Sequence, residues 1–144
     1  MPAEKATVLI RDIMTTSPLT VRPELSLAAL ATLYEGHAVD SFPVVDLHGT
    51  LCGIVTKLDL LRQLHPGPEI IAPNASAIAA QTVESIMRPG TLTVEPDHPI
   101  TAALDLMLET RFHNLPVVKR TAGPPRLVGI VSQGDVLRAL MPET

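Results

Sequence analysis

Two twelve-residue stretches decide the fold: Leu51 to Arg62 reads LCGIVTKLDLLR, and Leu127 to Arg138 reads LVGIVSQGDVLR. Seven of the twelve positions are identical, so the chain carries one unit twice. Upstream, an offset of 73 aligns Met14 with Met87, Leu19-Thr20-Val21 with Leu92-Thr93-Val94, Pro23 with Pro96, and Pro43-Val44-Val45 with Pro116-Val117-Val118. The offset widens to 76 at the second stretch, and the three extra residues fall between Val118 and Leu127, in a segment rich in Gly and Pro. A surface turn accepts such an insertion cheaply, because closure entropy grows only logarithmically with length. A period this long in only two copies predicts a tandem pair of small domains rather than a solenoid.

Composition narrows the setting. With 144 residues and 46% hydrophobic content the chain is long enough for a compact body. Each copy, at roughly 55 to 60 residues, would be marginal alone because small domains bury a smaller share of their surface, so the copies are expected to share a core. The net charge of −4 and the absence of a basic run longer than Lys119-Arg120 leave no electrostatic footprint for nucleic acid. Tyr34, Phe42 and Phe112 are the only aromatic side chains, too few for a base-stacking platform. No apolar run reaches the roughly 18 residues of a membrane span, and the start MPAEKATVLIRDIM lacks a secretory pattern. One cysteine, Cys52, forms no internal disulfide framework. A soluble cytoplasmic protein is the expectation.

Local patterns place the elements. Leu19-Thr20-Val21, between Pro18 and Pro23, is predicted as a short strand. From Ser26 to Glu35 apolar residues at Leu27, Leu30, Ala31 and Leu33 follow helical periodicity, with Ser26 placed to cap and Gly36 to stop the helix. Ile100, Ala103, Leu104, Met107 and Leu108 repeat the pattern. Phe42 to Val45 and Leu51 to Val55 read as a hairpin, with Leu115 to Val118 and Leu127 to Val131 as its counterpart. Helices are predicted from Lys57 to Leu64 and from Gln133 to Leu140. Each copy is therefore β-α-β-β-α, preceded by a short helical segment ending in Met14 or Met87. The expected boundaries are 10–64 for the first repeat, 65–81 for a linker and 82–141 for the second repeat. The linker opens with HPGPEIIAPN, whose prolines preclude a continuous helix, while AlaSerAlaIleAlaAla can form one turn.

Chemistry concentrates where each second strand meets its helix, at Gly53-Ile-Val-Thr-x-x-Asp59 and Gly129-Ile-Val-Ser-x-x-Asp135. The simpler reading is helix capping, with the hydroxyl accepting from the backbone and the acid facing the positive end of the helix dipole. The sharper reading is a grip on the vicinal hydroxyls of a ribose, since hydrogen bonds to a charged group contribute about 1.5 to 3 kcal/mol each. Glycine would let backbone and ligand approach closely. The two roles are compatible, because a carboxylate has more acceptor sites than a cap uses.

The order Thr-Val, helix, Pro-Val-Val, Gly-Ile-Val-Thr/Ser-x-x-Asp, helix resembles the CBS domain, and the tandem resembles a two-repeat Bateman module covering nearly the whole chain. That resemblance implies an α/β (α+β) pair of repeats with pseudo-twofold symmetry, with ligand clefts between the copies, and a regulatory ligand of the AMP, ADP, ATP or S-adenosylmethionine type. No catalytic cofactor is expected. Asp59 with Thr56 and Asp135 with Ser132 match the family's ribose-binding pair. Thr20 and Val21, with Thr93 and Val94, match the segment lining the adenine pocket. His113 stands where the family often places a basic residue able to reach phosphates, whereas Asp40 takes that place in the first copy and would repel one. Lys57 partly compensates. One competent nucleotide site and one weaker site are therefore expected. The family also implies a homodimer, and ligand binding is expected to alter the surface offered to a separate protein partner. The rival reading is a ligand-free oligomerisation or interaction module of the same fold.

Other chemistry finds little support in the sequence. His37, His48, His65, His98 and His113 lack metal-ligand spacing. Neither a nucleophile elbow nor a phosphate loop is present, so no enzyme activity is assigned. Cys52, at the position matching Val128, reads as a small buried hydrophobe. Arg62 and Arg138, late in their helices, read as partners of the helix dipole.

Overall fold

The computed structural model describes residues 7–64 and 75–141. In chain order these form α1 (Ile10–Ile13), β1 (Thr15–Thr16), α2 (Leu27–Gly36), β2 (Ser41–Val45), β3 (Leu51–Thr56), α3 (Lys57–Leu64) and α4 (Ala75–Ala79). A 3-10 turn at Val83–Ser85 then leads to α5 (Ile100–Thr110), β4 (Asn114–Lys119), β5 (Arg126–Ser132) and α6 (Gln133–Leu140). The HPGPEIIAPN segment of the predicted linker, with His65, lies outside the described residues, while α4 takes up the predicted turn. None of the described helices is long and apolar enough to cross a membrane.

The described residues divide into two compact units, one within Leu19–Thr91 and the other drawn from Met1–Pro18 and Leu92–Thr144. This division departs from the order of the sequence copies. The lead segment Ile10–Met14 packs with the elements of the second copy, and Val83–Met87 packs with those of the first. Most of the buried hydrophobic side chains fall into two clusters, one within each unit. Each sequence copy is completed by the other copy's lead segment.

In the Leu19–Thr91 unit, Ser26 caps α2 by accepting from the Ala29 amide at 3.1 Å. The helix turns Leu27, Leu30 and Tyr34 inward against Phe42, Val44, Val55 and Val83. Strands β2 and β3 pair antiparallel, with Phe42 opposite Val55 and Val44 opposite Gly53. The hairpin turn is closed by Asp46, which accepts from the His48 and Thr50 amides at 2.8 and 3.0 Å. Those bonds hold its carboxyl below the ordinary carboxylate value. Gly49, at φ 80°, supplies the left-handed step in that turn.

The other unit repeats the plan. Ile100, Ala103 and Met107 of α5 pack with Leu115, Val117, Val131 and Ile10. Leu115 stands opposite Val131, and Val117 opposite Gly129. Both hairpins carry an irregularity at the matching place, between Val44 and Val45 and between Val117 and Val118. The skipped partners are Cys52 and Val128. The predicted Leu19–Val21 strand shrinks to a one-residue parallel bridge from Val21 to Val44, matched by Val94 to Val117. Flanking prolines, which cannot donate, limit the pairing to that single residue.

Candidate functional site

The lead segments explain the glycine of each repeated stretch. Arg88 pairs with Ile54 through backbone bonds of 2.8 and 3.0 Å, and Thr15 stands opposite Ile130 in β1–β5 pairing. A Cβ on Gly53 would lie 2.5 Å from the Arg88 carbonyl oxygen, and one on Gly129 would lie 2.8 Å from that of Thr15. The backbone that comes close in each case is the protein's own, which accounts for a glycine at both positions.

Immediately beyond, the two helix starts form reciprocal caps. Asp59 N donates to Thr56 Oγ1 at 3.0 Å, and Thr56 N donates to Asp59 Oδ2 at 2.9 Å. In α6 the Asp135 amide donates to Ser132 Oγ at 3.1 Å, and the Ser132 amide donates to Asp135 Oδ2 at 2.8 Å. Capping is therefore part of what these residues do. Both carboxylates remain at the positive end of a helix with their Oδ1 atoms directed to other donors.

Those donors are arginines. Arg62 Nη1 lies 3.0 Å from Asp59 Oδ1, and Arg138 Nη2 lies 2.6 Å from Asp135 Oδ1. The recurring arginines thus serve the carboxylates of their own helices, a nearer partner than the helix dipole. Arg88 adds a third group at the first site, its Nε 3.1 Å from Asp59 Oδ1. Asp59 is consequently 6% exposed in its side chain and Asp135 14% exposed. Asp135 lines a cavity of about 300 Å³ together with Ile13, Arg138 and Ala139.

Val21 and Val94 are buried, held by backbone bonds to the Pro-Val-Val strands: Val21 N to Pro43 O at 3.1 Å, and Val94 N to Pro116 O at 3.1 Å. Thr20 is exposed; Thr93 is half-buried and accepts from Arg120 Nη2 at 3.3 Å. Thr56 is joined directly to Asp59 and Ser132 to Asp135, whereas the Thr-Val segments attach to the far strand of each hairpin. His113 is exposed and anchors the start of α6, its carbonyl accepting from the Gln133 amide at 2.9 Å. The Asp40 carbonyl does the same for Lys57 at 2.9 Å, and Lys57 Nζ sits 3.8 Å from the Asp40 carboxylate. Tyr34, whose hydroxyl donates to Val55 O at 2.9 Å, has its phenol pushed up by burial and then by Asp59 and Asp40. It stays protonated. No group of three or more His, Cys, Asp or Glu residues gathers as for a metal among the described residues.

Sequence reasoning missed Arg88 and Ile13. The aligned Met14 and Met87 carried a signal, because the next residues, Thr15 and Arg88, differ in charge, but nothing in the sequence linked Arg88 to Asp59.

Two repeats of a single-residue bridge, a helix, an antiparallel hairpin and a closing helix, each with a Thr/Ser-Asp pair at the start of that last helix, define the class as a tandem α+β repeat. The CBS domain family model matches residues 10–66 and 83–142, and the chain belongs to that family. The L-aspartate semialdehyde sulfurtransferase of Methanocaldococcus jannaschii is 28% identical over 137 residues. That match takes in 95% of this chain but 24% of the sulfurtransferase, so this chain spans about a quarter of its relative. The crystal structure of CBSX2 in complex with AMP, a protein of Arabidopsis thaliana, is 32% identical with a TM-score of 0.76 and covers 91% of this chain and 94% of its own. The CBS domain pair of MJ0100 in complex with 5-methylthioadenosine and S-adenosyl-L-methionine is 28% identical with a TM-score of 0.72, covering 93% and 96%.

Proposed function

We propose that this chain is a regulatory ligand-sensing module that binds an adenosine-containing small molecule, of the AMP, ADP, ATP or S-adenosylmethionine type, and transmits the resulting change to a partner. The observation that carries the reading is Asp135. It uses one position on each oxygen for its cap and for Arg138, is partly open, and lines a cavity at the start of α6. A carboxylate offers about four acceptor positions, so one remains on each oxygen for the two hydroxyls of a ribose. Arg138 and the exposed His113 supply donors for an anionic tail. Relatives in this family crystallised with AMP and with S-adenosylmethionine support that ligand class.

Ligand shifts such a module only by its differential affinity for two conformations. Leu58 and Leu61 on α3, with Leu137 and Leu140 on α6, are 45 to 60% exposed. Apolar faces of this kind favour a homodimer as the working assembly. The second reading, a ligand-free interaction module, draws on Asp59, whose carboxylate is already engaged by its cap and two arginines.

A thermal-shift panel of adenine nucleotides and S-adenosylmethionine separates the two. Ligand at about 100 times its dissociation constant stabilises by roughly 2.7 kcal/mol. The sensing module predicts a shift that disappears in the Asp59→Ala, Asp135→Ala double variant. An unchanged melting profile with every compound supports the ligand-free module.

A further inference from the structure

We propose that Arg88 is a built-in occupant of the Asp59 end, leaving the chain with one ligand-competent carboxylate, at Asp135. The inference rests on the ribose-gripping role given above and adds which site performs it. Arg88 and Thr15 hold equivalent places: each follows a lead-segment methionine and pairs with the isoleucine of a Gly-Ile-Val strand. The backbone is the same, and only the side chain differs.

Acceptor positions at the two carboxylates decide the outcome. Asp59 Oδ1 receives both Arg62 Nη1 at 3.0 Å and Arg88 Nε at 3.1 Å, while Oδ2 receives the Thr56 amide. With about two positions per oxygen, Oδ1 is full and a single position remains on Oδ2. Two vicinal hydroxyls therefore cannot both be accepted. At Asp135 the donors are Arg138 on Oδ1 and the Ser132 amide on Oδ2, so each oxygen keeps one position. The cavity beside Asp135 gives a ligand room to reach them.

Two further differences act in the same direction. Asp40 brings negative charge to the start of α3, where His113 stands at the start of α6. At the place matching the cavity-lining Ala139, the longer Gln63 stands one residue after Arg62. Arg88 thus substitutes for a ligand by supplying the donors that a ribose would bring.

The test is calorimetric titration of the full chain with AMP, comparing wild type, Arg88→Thr, Thr15→Arg and Asp135→Ala. Wild type is expected to show one site per chain, and Arg88→Thr two. Thr15→Arg and Asp135→Ala should each weaken binding about tenfold or more. Two equal sites in wild type overturn the proposal, as does a single site in a cooperatively folding Arg88→Thr protein. If Arg88→Thr does not fold, Thr15→Arg decides: wild-type affinity in that variant overturns the lock, and its loss supports it. No heat from any of the four proteins with AMP, ADP, ATP or S-adenosylmethionine overturns the proposed function itself, on which the lock depends.

Discussion

Replacing Gly53 with alanine tests the pairing that joins lead segment to hairpin. The new Cβ would sit 2.5 Å from the Arg88 carbonyl oxygen and 3.1 Å from its carbon. Both atoms belong to backbone, so no side chain can swing aside, and the lead segment must move. That motion breaks two backbone bonds, Ile54 N to Arg88 O at 3.0 Å and Arg88 N to Ile54 O at 2.8 Å. Each such bond contributes about 0.5 to 1.5 kcal/mol, and overpacking costs about 1 to 3 kcal/mol. The expected loss is about 2 to 6 kcal/mol, or a fall in Tm of about 4 °C per kcal/mol for a chain of this size. Urea unfolding followed by circular dichroism reads it as a lower midpoint at unchanged slope. Gly36→Ala is the control, because nothing lies within 4 Å of a Cβ there, and it should change stability by less than about 1 kcal/mol. A Gly53→Ala protein as stable as the control refutes the pairing and with it the assignment of Val83–Met87 to the first hairpin.

Further outcomes follow from other contacts. Ile10→Ala empties a fully buried place in the second unit and should cost about 2 to 5 kcal/mol by denaturant unfolding, whereas a neutral result would mean the N-terminal lead segment is undocked. Leu61→Glu with Leu137→Glu places charges on exposed apolar faces and should convert the proposed homodimer to monomer in light scattering with the far-ultraviolet circular dichroism unchanged; an unchanged mass would move the interface elsewhere. The Cys52 thiol is pushed above its ordinary 9.0 by burial and then by Asp46, Glu24 and Glu84. Alkylation at pH 8 should be slower than for a free thiol and rise only as pH passes that value, and a fast reaction at neutral pH would contradict the burial. Asp46 has its carboxyl lowered by the Thr50 amide first, so the stability it adds is present above the ordinary 3.8 and is lost as pH falls through the depressed value. Asp46→Asn should therefore flatten the acid limb of the stability profile.

Much of the fold was legible because local signals agreed with tertiary demand. The β-branched hairpins and the helices at Lys57–Leu64 and Gln133–Leu140 stand where periodicity put them. The exchange of lead segments was not legible, because a repeat says which residues are equivalent without saying which copy each packs against. Ile10 and Val83 satisfy either core on composition alone. The single-residue bridge at Val21 also escaped, since Leu-Thr-Val carries strand propensity while its prolines curtail pairing. At the site, the Thr56–Asp59 and Ser132–Asp135 pairs could be read from their spacing as reciprocal caps. Arg88 could not be read, because 29 residues separate it from the carboxylate it engages. Its departure from Thr15 becomes meaningful only once the lead segment is seen beside β3.

The most direct measurement is the crystal structure of the full chain grown with AMP. The ribose hydroxyls are predicted within about 3.2 Å of the two Asp135 carboxylate oxygens, with Arg88 still bonded to Asp59. AMP bound away from Asp135, or no AMP at saturating concentration, would contradict it.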